Sequence, residues 1–470
     1  MSRTPGETFQ PHAGLRPEAT TGTYRRIWEL AWPVSISTST FTLLTLANLY
    51  WIGHLGTLAV AAVSLSSNVL FNVFAISHIV YIGALATAAR RVGAGELAEA
   101  FNAGLHGICL GAVLGLAVAV VGWASAPPII RFFDAGTDLE TAAISYLRIS
   151  LIGQIFLFVS VALSACYQAA GDTRTPMLVN VGVIILNGLL DPFFIFVPGQ
   201  VVLGGVPLGW LGWGVNGAAI AALVSGIIGC AAFLLLWFVY GKPFPRPSQR
   251  RIAFTLTEFR RMLRIGTPAS ISLVARPLST FLLLKVIASF GAAAIAAFGI
   301  ALRSFSVNWI PFSGIGAAIS TLVGQNLGRH DVAEATRVVR RGLVLNTALG
   351  VFFCIAYYAA SEQIILAFDQ EPDVVAAGVP YLKFMALGFL FSAPMFPLVS
   401  AMNGAGDTRP PMIAAFVANW PVKLPLCYVL AIPLAYGVDG VWGGMFVSVV
   451  LEAALVFIWY RRGSWKTHQL

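Results

Sequence analysis

Twelve side chains in this 470-residue sequence combine a reactive or charged type with an apolar setting, and Asp191 leads them. It stands in Asn187-Gly-Leu-Leu-Asp191-Pro192, inside an apolar run that opens after Pro176. An ionisable group at mid-membrane costs at least about 2.5 kcal/mol, so an acid kept in such a run is a functional candidate. The separation from Pro176 is 191 − 176 = 15 residues, roughly 22 Å of helix, which puts Asp191 towards the far end of the run. Asn187 lies one turn earlier on the same face. Pro192 has no N–H to offer the Gly188 carbonyl, so that carbonyl can take another partner. A carboxyl so placed can bind and release a proton. The competing reading is a kinked helix with a permanently neutral or paired acid.

The other candidates fall into two groups. Asn68, Asn72, His78 and Tyr81 form a polar stripe in an early apolar run, for which hydrogen bonding between helices is the simpler account. Arg276, Lys285, Arg303, Lys423 and Glu452 lie in later runs, and Arg276 precedes Pro277 near the middle of its run, where it cannot easily reach a surface. Either Glu452 or another acid pairs with these cations, which is the favoured reading, or they line a wet cavity. Enzyme and metal signatures are missing: there is no HExxH, no GxSxG, no Walker-type Gly-Lys-Ser/Thr and no Cys/His cluster. The expectation is a chain that is not an enzyme and needs no cofactor or metal. Cysteines 109, 166, 230, 354 and 427 lie in apolar stretches and read as free thiols.

Those residues must be positioned by membrane helices. Hydrophobic residues make up 58% and charged ones 10%, with a mean hydropathy of +0.81, against roughly 25% charged residues in a soluble domain. The net charge of +9 is spread over short loops, which fits positive-inside topology better than nucleic-acid binding. Twelve apolar runs are long enough to span: 27–52, 57–86, 101–125, 141–166, 177–197, 213–240, 264–289, 293–321, 341–361, 377–402, 412–434 and 437–460. Loops on one side carry Arg90, Arg91, Arg174, Arg260, Arg261, Arg329, Arg409 and Arg461, whereas the other side holds Arg131 among acids. Both termini are therefore expected in the cytoplasm of a plasma-membrane protein.

The sequence is also an internal duplication. Ala170-Gly-Asp-Thr-Arg-Thr-Pro-Met177 recurs as Ala405-Gly-Asp-Thr-Arg-Pro-Pro-Met412, an offset of 407 − 172 = 235. The same offset pairs Arg25-Arg26 with Arg260-Arg261 and Gly56 with Gly291, and it slips by about a dozen residues only at Gly214-Val-Asn-Gly217 and Gly437-Val-Asp-Gly440. Six spans per repeat predict an all-α polytopic protein of two six-helix lobes related by an axis along the membrane normal. The expected divisions are a tail at 1–23, a first lobe at 24–240, a linker at 241–258, a second lobe at 259–462 and a tail at 463–470. Thr255-Leu-Thr-Glu258 has the pattern of a capping box at the start of a basic amphipathic segment. The duplicated Asp-Thr-Arg turn reads as structural. The repeats diverge at their chemistry: Asp191 falls on Leu426 and Asn187 on Val422.

Over residues 24 to 460 the sequence resembles the multidrug and toxic compound extrusion (MATE) family. The matching pieces are Trp51-Ile-Gly-His-Leu-Gly56, Ala61-Ala-Val-Ser64, Val323-Gly-Gln-Asn326, the Ala-Gly-Asp-Thr-Arg turns and Asn187-x-x-x-Asp-Pro. The resemblance implies two lobes around a central cleft, exporting small, often cationic compounds against proton or sodium entry, in the bilayer and as a monomer. The Asn187–Asp191 pattern looks most like the proton-coupled DinF-like branch, which assigns coupling to those two residues. Where that branch carries an Asp in span one, this sequence has Asn48, which cannot titrate. Where the NorM-like branch carries a Glu in span seven, it has Arg276, which disfavours sodium. The reading is a proton-coupled antiporter in which Asp191 bonds to spans one and two until protonated. A lipid-linked saccharide flippase of the same superfamily is the alternative, and a polytopic membrane enzyme ranks below both.

Overall fold

The computed structural model describes residues 20–134, 136–199, 201–203, 206–244 and 254–468. Most of the expected N-terminal tail and the middle of the expected linker lie outside them. Twelve long helices account for the described chain: α1 (Thr20–Gly53), α2 (Thr57–Gly93), α3 (Leu97–Arg131), α4 (Thr137–Ala169), α5 (Arg174–Ile195), α6 (Gly214–Phe238), α7 (Leu256–Ala288), α8 (Ala292–Gly328), α9 (Val332–Ala359), α10 (Pro372–Ala405), α11 (Arg409–Ala431) and α12 (Gly437–Arg462). Among the described residues, the eleven helices α2 to α12 are long and apolar enough to cross a bilayer, and α1, with 34 residues, has the length to do so. Three elements were not expected: a hairpin of β1 (Val201–Leu203) and β2 (Val206–Leu208), with Val201 opposite Leu208, a one-turn-and-a-half helix at Ser361–Leu366, and a single helical turn at Ser464–Thr467 in the expected tail.

The duplication is visible in the backbone. Gly56 and Gly291 open α2 and α8 with φ of 103° and 95°, and Gly171 and Gly406 make the two Asp-Thr-Arg turns with φ of 87° and 83°. Side chains rarely adopt that region, so the glycines recur because the turns do. The slipped pair behaves the same way: Gly217 lies against the Phe194 carbonyl and Gly440 against the Leu430 carbonyl, so a Cβ at either position would strike backbone. Helices α1–α6 form one lobe and α7–α12 the other, with buried cores that are shared at the junction, where Met262 of α7 joins the first lobe and Ile27, Leu30 and Ala31 of α1 join the second. The large apolar side chains that α3 leaves exposed, such as Val113, Leu116, Val120 and Val121, are suited to lipid rather than water.

The lobes meet along α2 with α7 and α1 with α8, and only near the end that carries the basic loops. There the backbones almost touch. A Cβ on Gly266 of α7 would stand 1.9 Å from the Ile79 carbonyl of α2, and one on Gly93 of α2 would stand 1.9 Å from the Gln325 carbonyl of α8. Polar bonds tie the same region: Ser270 Oγ donates to the Ala75 carbonyl at 2.7 Å, Gln168 Nε2 to Ala317 at 3.0 Å, and Gln325 Nε2 to Ala169 at 2.8 Å. Towards the other end the same helix faces are uncovered. Phe281 continues the Ser270 face of α7 and is 63% exposed, Asn68 continues the Ala75 face of α2, and Arg303 continues the Ile310 face of α8, all exposed. The result is a cleft sealed at the basic end and open at the opposite one.

At the head of α7, Thr255 is the N-cap residue, but its side chain makes no capping bond. Glu258 is recruited elsewhere: its carboxylate accepts from Arg91 at 2.7 Å and from Arg261 at 2.6 Å. The expected capping box is thus replaced by an ion pair between lobes, because a guanidinium binds the carboxylate more strongly than a backbone amide does. The first turns of α7 belong to the seal as part of one continuous helix.

Adding bulk in the seal should open it. Overpacking costs about 1–3 kcal/mol, so Gly93→Val is expected to raise thiol labelling of a cysteine placed at Ala89 about tenfold, in a background without the native cysteines. Unchanged labelling would contradict the close approach.

Candidate functional site

The first half-site lies in the α1–α6 lobe. Asn187 and Asp191 are both fully buried, and neither the Asn187 amide nor either Asp191 carboxyl oxygen has a hydrogen-bond partner among the described residues. They sit on one face of α5, which packs on α1 and α6. Tyr146 of α4 stands within electrostatic reach of the Asp191 carboxyl. The end of α5 is fixed from above: the amides of Trp210, Leu211 and Trp213 donate to the carbonyls of Phe193 and Phe194, and Trp213 stacks on Phe194 at 5.9 Å. The turn that follows the unexpected hairpin therefore satisfies the carbonyls of α5 just beyond Pro192. Burying an unpaired carboxylate is costly, so this arrangement suits the neutral, protonated acid. The expected bonds from Asp191 to α1 and α2 are not made among the described residues. Asn48 of α1 is half-buried with an unpartnered Oδ1, and no bond joins it to Asp191.

The polar stripe of α2 divides in two. Asn68 and Asn72 line the open cleft, and their amides donate back along their own helix to Ser64 and Asn68 at 2.9 Å. Lower down, Tyr81 donates to Gln168 of α4, whose own amide reaches the α8 carbonyl of Ala317. His78 packs between Phe74 and Tyr81, with ring centroids 5.5 and 5.6 Å away, and its Nδ1 has no partner. Tyr81 and His78 thus belong to the floor of the cleft where the lobes join. Gln168 was missed in the sequence, although it stands in the Tyr167-Gln168-Ala-Ala-Gly-Asp172 run that leads into the duplicated turn.

The second half-site is a connected ionic network in the α7–α12 lobe. Arg276 of α7 makes a two-pronged pair with Glu452 of α12, one prong being Nε to Oε2 at 3.2 Å. The Glu452 Oε2 also accepts from Asn419 Nδ2 at 3.0 Å. Lys423 Nζ donates to Asn419 Oδ1 at 3.1 Å and to Thr280 Oγ1 at 3.0 Å. Glu452 and Lys423 are buried, whereas the Arg276 side chain keeps a third of its surface exposed. Two cations and one anion leave the cluster net positive. Its geometry depends on a π-helical turn at Ala418–Val422, within α11, around Pro421; such turns often mark functional sites. Asn419 and Thr280 went unnoticed in the sequence, and the interior Pro421 was the one signal that could have found Asn419. Lys285 is not part of the cluster. It lies nine residues beyond Arg276, about 180° round the helix, exposed in the last turn of α7, where a cation complements the helix dipole. Arg303 is also separate, exposed on the uncovered α8 wall.

Comparison with known proteins fits this geometry. The MatE family model matches twice, over residues 33–193 and 268–429; the starts differ by 268 − 33 = 235, the offset of the repeat. A probable multidrug resistance protein NorM from Thermotoga maritima is 26% identical over 90% of this chain and 88% of its own. A probable multidrug resistance protein NorM from Deinococcus radiodurans is 28% identical over 92% and 94%. Among solved structures, a MATE protein in a bent conformation has a TM-score of 0.86 at 23% identity, covering 95% of this chain and 96% of that one. A MOP superfamily transporter from Pyrococcus furiosus, described as having a reversed-polarity binding pocket that suggests a different function, has a TM-score of 0.84 at 22% identity, covering 96% and 100%. At these identities the structures show the shared fold alone.

Glu452→Gln should destabilise the protein by about 3–5 kcal/mol, because Arg276 and Lys423 then lose their counter-charge. The double variant with Arg276→Gln should recover part of the loss. Thermal unfolding in detergent micelles checks both, and an unchanged midpoint in Glu452→Gln would contradict the network.

Proposed function

This chain belongs to the MatE family, and from that membership we propose that it is a multidrug exporter driven by proton entry. The support for export of small molecules is the family, its NorM-named relatives and the cleft between the lobes. Positive-inside loops put the sealed, basic end and both termini in the cytoplasm, so the cleft opens to the outside. The conformation is then the one that releases substrate and loads the coupling ion.

The single observation that carries proton coupling is the buried Asp191 with no partner on either oxygen. Protonated from outside through the open cleft, Asp191 is compatible with the wide conformation. Loss of the proton towards the cytoplasm would leave a bare carboxylate that needs a donor, and closing α1 and α2 over α5 is the way to supply one. Asn187, one turn away, is placed to share that role. The driving force is about 1.4 kcal/mol per pH unit plus about 2.3 kcal/mol per charge per 100 mV. Sodium is the weaker candidate, because Arg276 already occupies the Glu452 carboxylate. Assignment to the DinF-like branch rests on Asn187 and Asp191 alone.

A second reading is favoured by the net positive Arg276–Glu452–Lys423 cluster, whose Arg276 is partly open. It would suit an anionic or neutral cargo, including a lipid-linked saccharide.

In energised vesicles, adding a transported compound should release protons. Because Asn cannot carry the proton, Asp191→Asn should abolish that release and cut efflux about a hundredfold, and the wild-type rate should rise as the outside is acidified. Proton release that survives in the variant would move coupling away from Asp191; efflux of anionic compounds only, with no proton release, would favour the second reading.

A further inference from the structure

At the basic end of the second lobe, the first turns of α7 and the Gly406–Arg409 turn enclose a crevice of about 1060 Å3. The same place in the first lobe shows what this crevice would ordinarily contain. There Trp32 reaches the turn, and the Arg174 guanidinium lies over its ring at 5.7 Å. Glu29 neutralises Arg25, with Nε to Oε1 at 2.8 Å. At the constant offset of 235, Trp32 becomes Thr267 and Glu29 becomes Arg264. The second repeat has therefore lost the ring that fills the gap and has exchanged its one acid for a cation.

What remains is a basic mouth over an apolar floor. Arg260, Arg264 and Arg409 are exposed around the opening, and no hydrogen bond or ion pair engages their side chains among the described residues. Arg261 is different, being held by Glu258. The acid in the lining, Asp407, accepts from Ser464 Oγ at 2.6 Å. Leu263 and Ile265 lie beneath, and Thr257 and Thr267 add hydroxyl donors. Burial, against the opposing pull of Asp407, holds the His468 imidazole below its usual range, and the guanidiniums of Arg90, Arg264 and Arg409 push the same way. Three unpaired guanidiniums around one opening, outnumbering the single acid of the lining, beside hydroxyls and above an apolar floor, match a phosphate attached to an acyl chain.

We propose that this crevice binds the phosphate headgroup of an anionic phospholipid of the inner leaflet, and that it is a site the first repeat cannot form. Occupancy bridges α7 to the turn that starts α11. The bound lipid would therefore stiffen the part of the second lobe that packs against the seal. This inference does not depend on which substrate the cleft carries.

The test is native mass spectrometry of delipidated protein in neutral detergent, offered phosphatidylglycerol, phosphatidylcholine or inorganic phosphate. Wild type should retain phosphatidylglycerol in preference to phosphatidylcholine. The variant carrying Arg264→Glu and Thr267→Trp copies the residues of the first repeat. It should bind phosphatidylglycerol at least about tenfold more weakly, since each guanidinium near a phosphate is worth about fivefold. Thr267→Trp alone, which only refills the gap, gives the same reading if the double variant does not fold. Equal retention by wild type and variant overturns the proposal. So does displacement of phosphatidylglycerol by millimolar inorganic phosphate, which would assign the site to a soluble phosphate instead.

Discussion

The close approach of α2 to both α7 and α8 is the constraint on which the remaining structure depends. Backbones can come within van der Waals distance only where no Cβ intervenes, and Gly83, Gly93, Gly266 and Gly328 supply those positions. The contact is confined to one end of each helix. Two rigid six-helix lobes joined at one end must diverge at the other, and the divergence is the cleft. The seal also uses short side-chain bonds and one ion pair, Arg91 with Glu258, beside apolar contacts such as Met262 of α7 in the first lobe's core and Ile27 of α1 in the second's.

Duplication gave the two lobes one backbone, and their interiors then diverged. At the first half-site Asn187 and Asp191 are buried with no partners among the described residues and are free to take them. At the second half-site Arg276, Glu452, Asn419 and Lys423 are bonded to one another. An unsatisfied site is costly and can switch, whereas a satisfied network is rigid and sets polarity. The division of labour between a coupling lobe and a lobe that shapes the cleft's charge follows from that difference. The lower crevices show the same divergence, with Trp32 and Glu29 in one repeat and Thr267 and Arg264 in the other.

The fold was legible in the sequence because membrane helices are written in long apolar runs and the repeat in a constant offset. Asp191 and Asn187 were legible for the same reason: a carboxylate in hydrocarbon is rare enough to be conspicuous. The pairing of Arg276 with Glu452 was foreseen only as one of several options, since residues 276 and 452 are brought together by packing and not by spacing. Lys285 stands apart from the Arg276 cluster because nine residues of helix carry it to the opposite side of α7, which charge in an apolar run does not reveal. Asn419 went unseen because a neutral amide in an apolar run is less conspicuous than a charge, and the π turn that holds it was marked only by Pro421. The Thr255–Glu258 cap failed because local pattern lost to a stronger partner, Arg91, from another helix.

The central claim is that the charge state of Asp191 sets the opening of the cleft. The most direct test is the distance between spin labels at Leu58 of α2 and Ser289 beyond α7, measured by double electron–electron resonance in acid and alkaline buffer. The account predicts a single long distance in acid, a shorter population that grows with alkalinity, and a long distance at every pH in Asp191→Asn. A wild-type distribution that does not respond to pH, or a variant that follows the wild type, would contradict it.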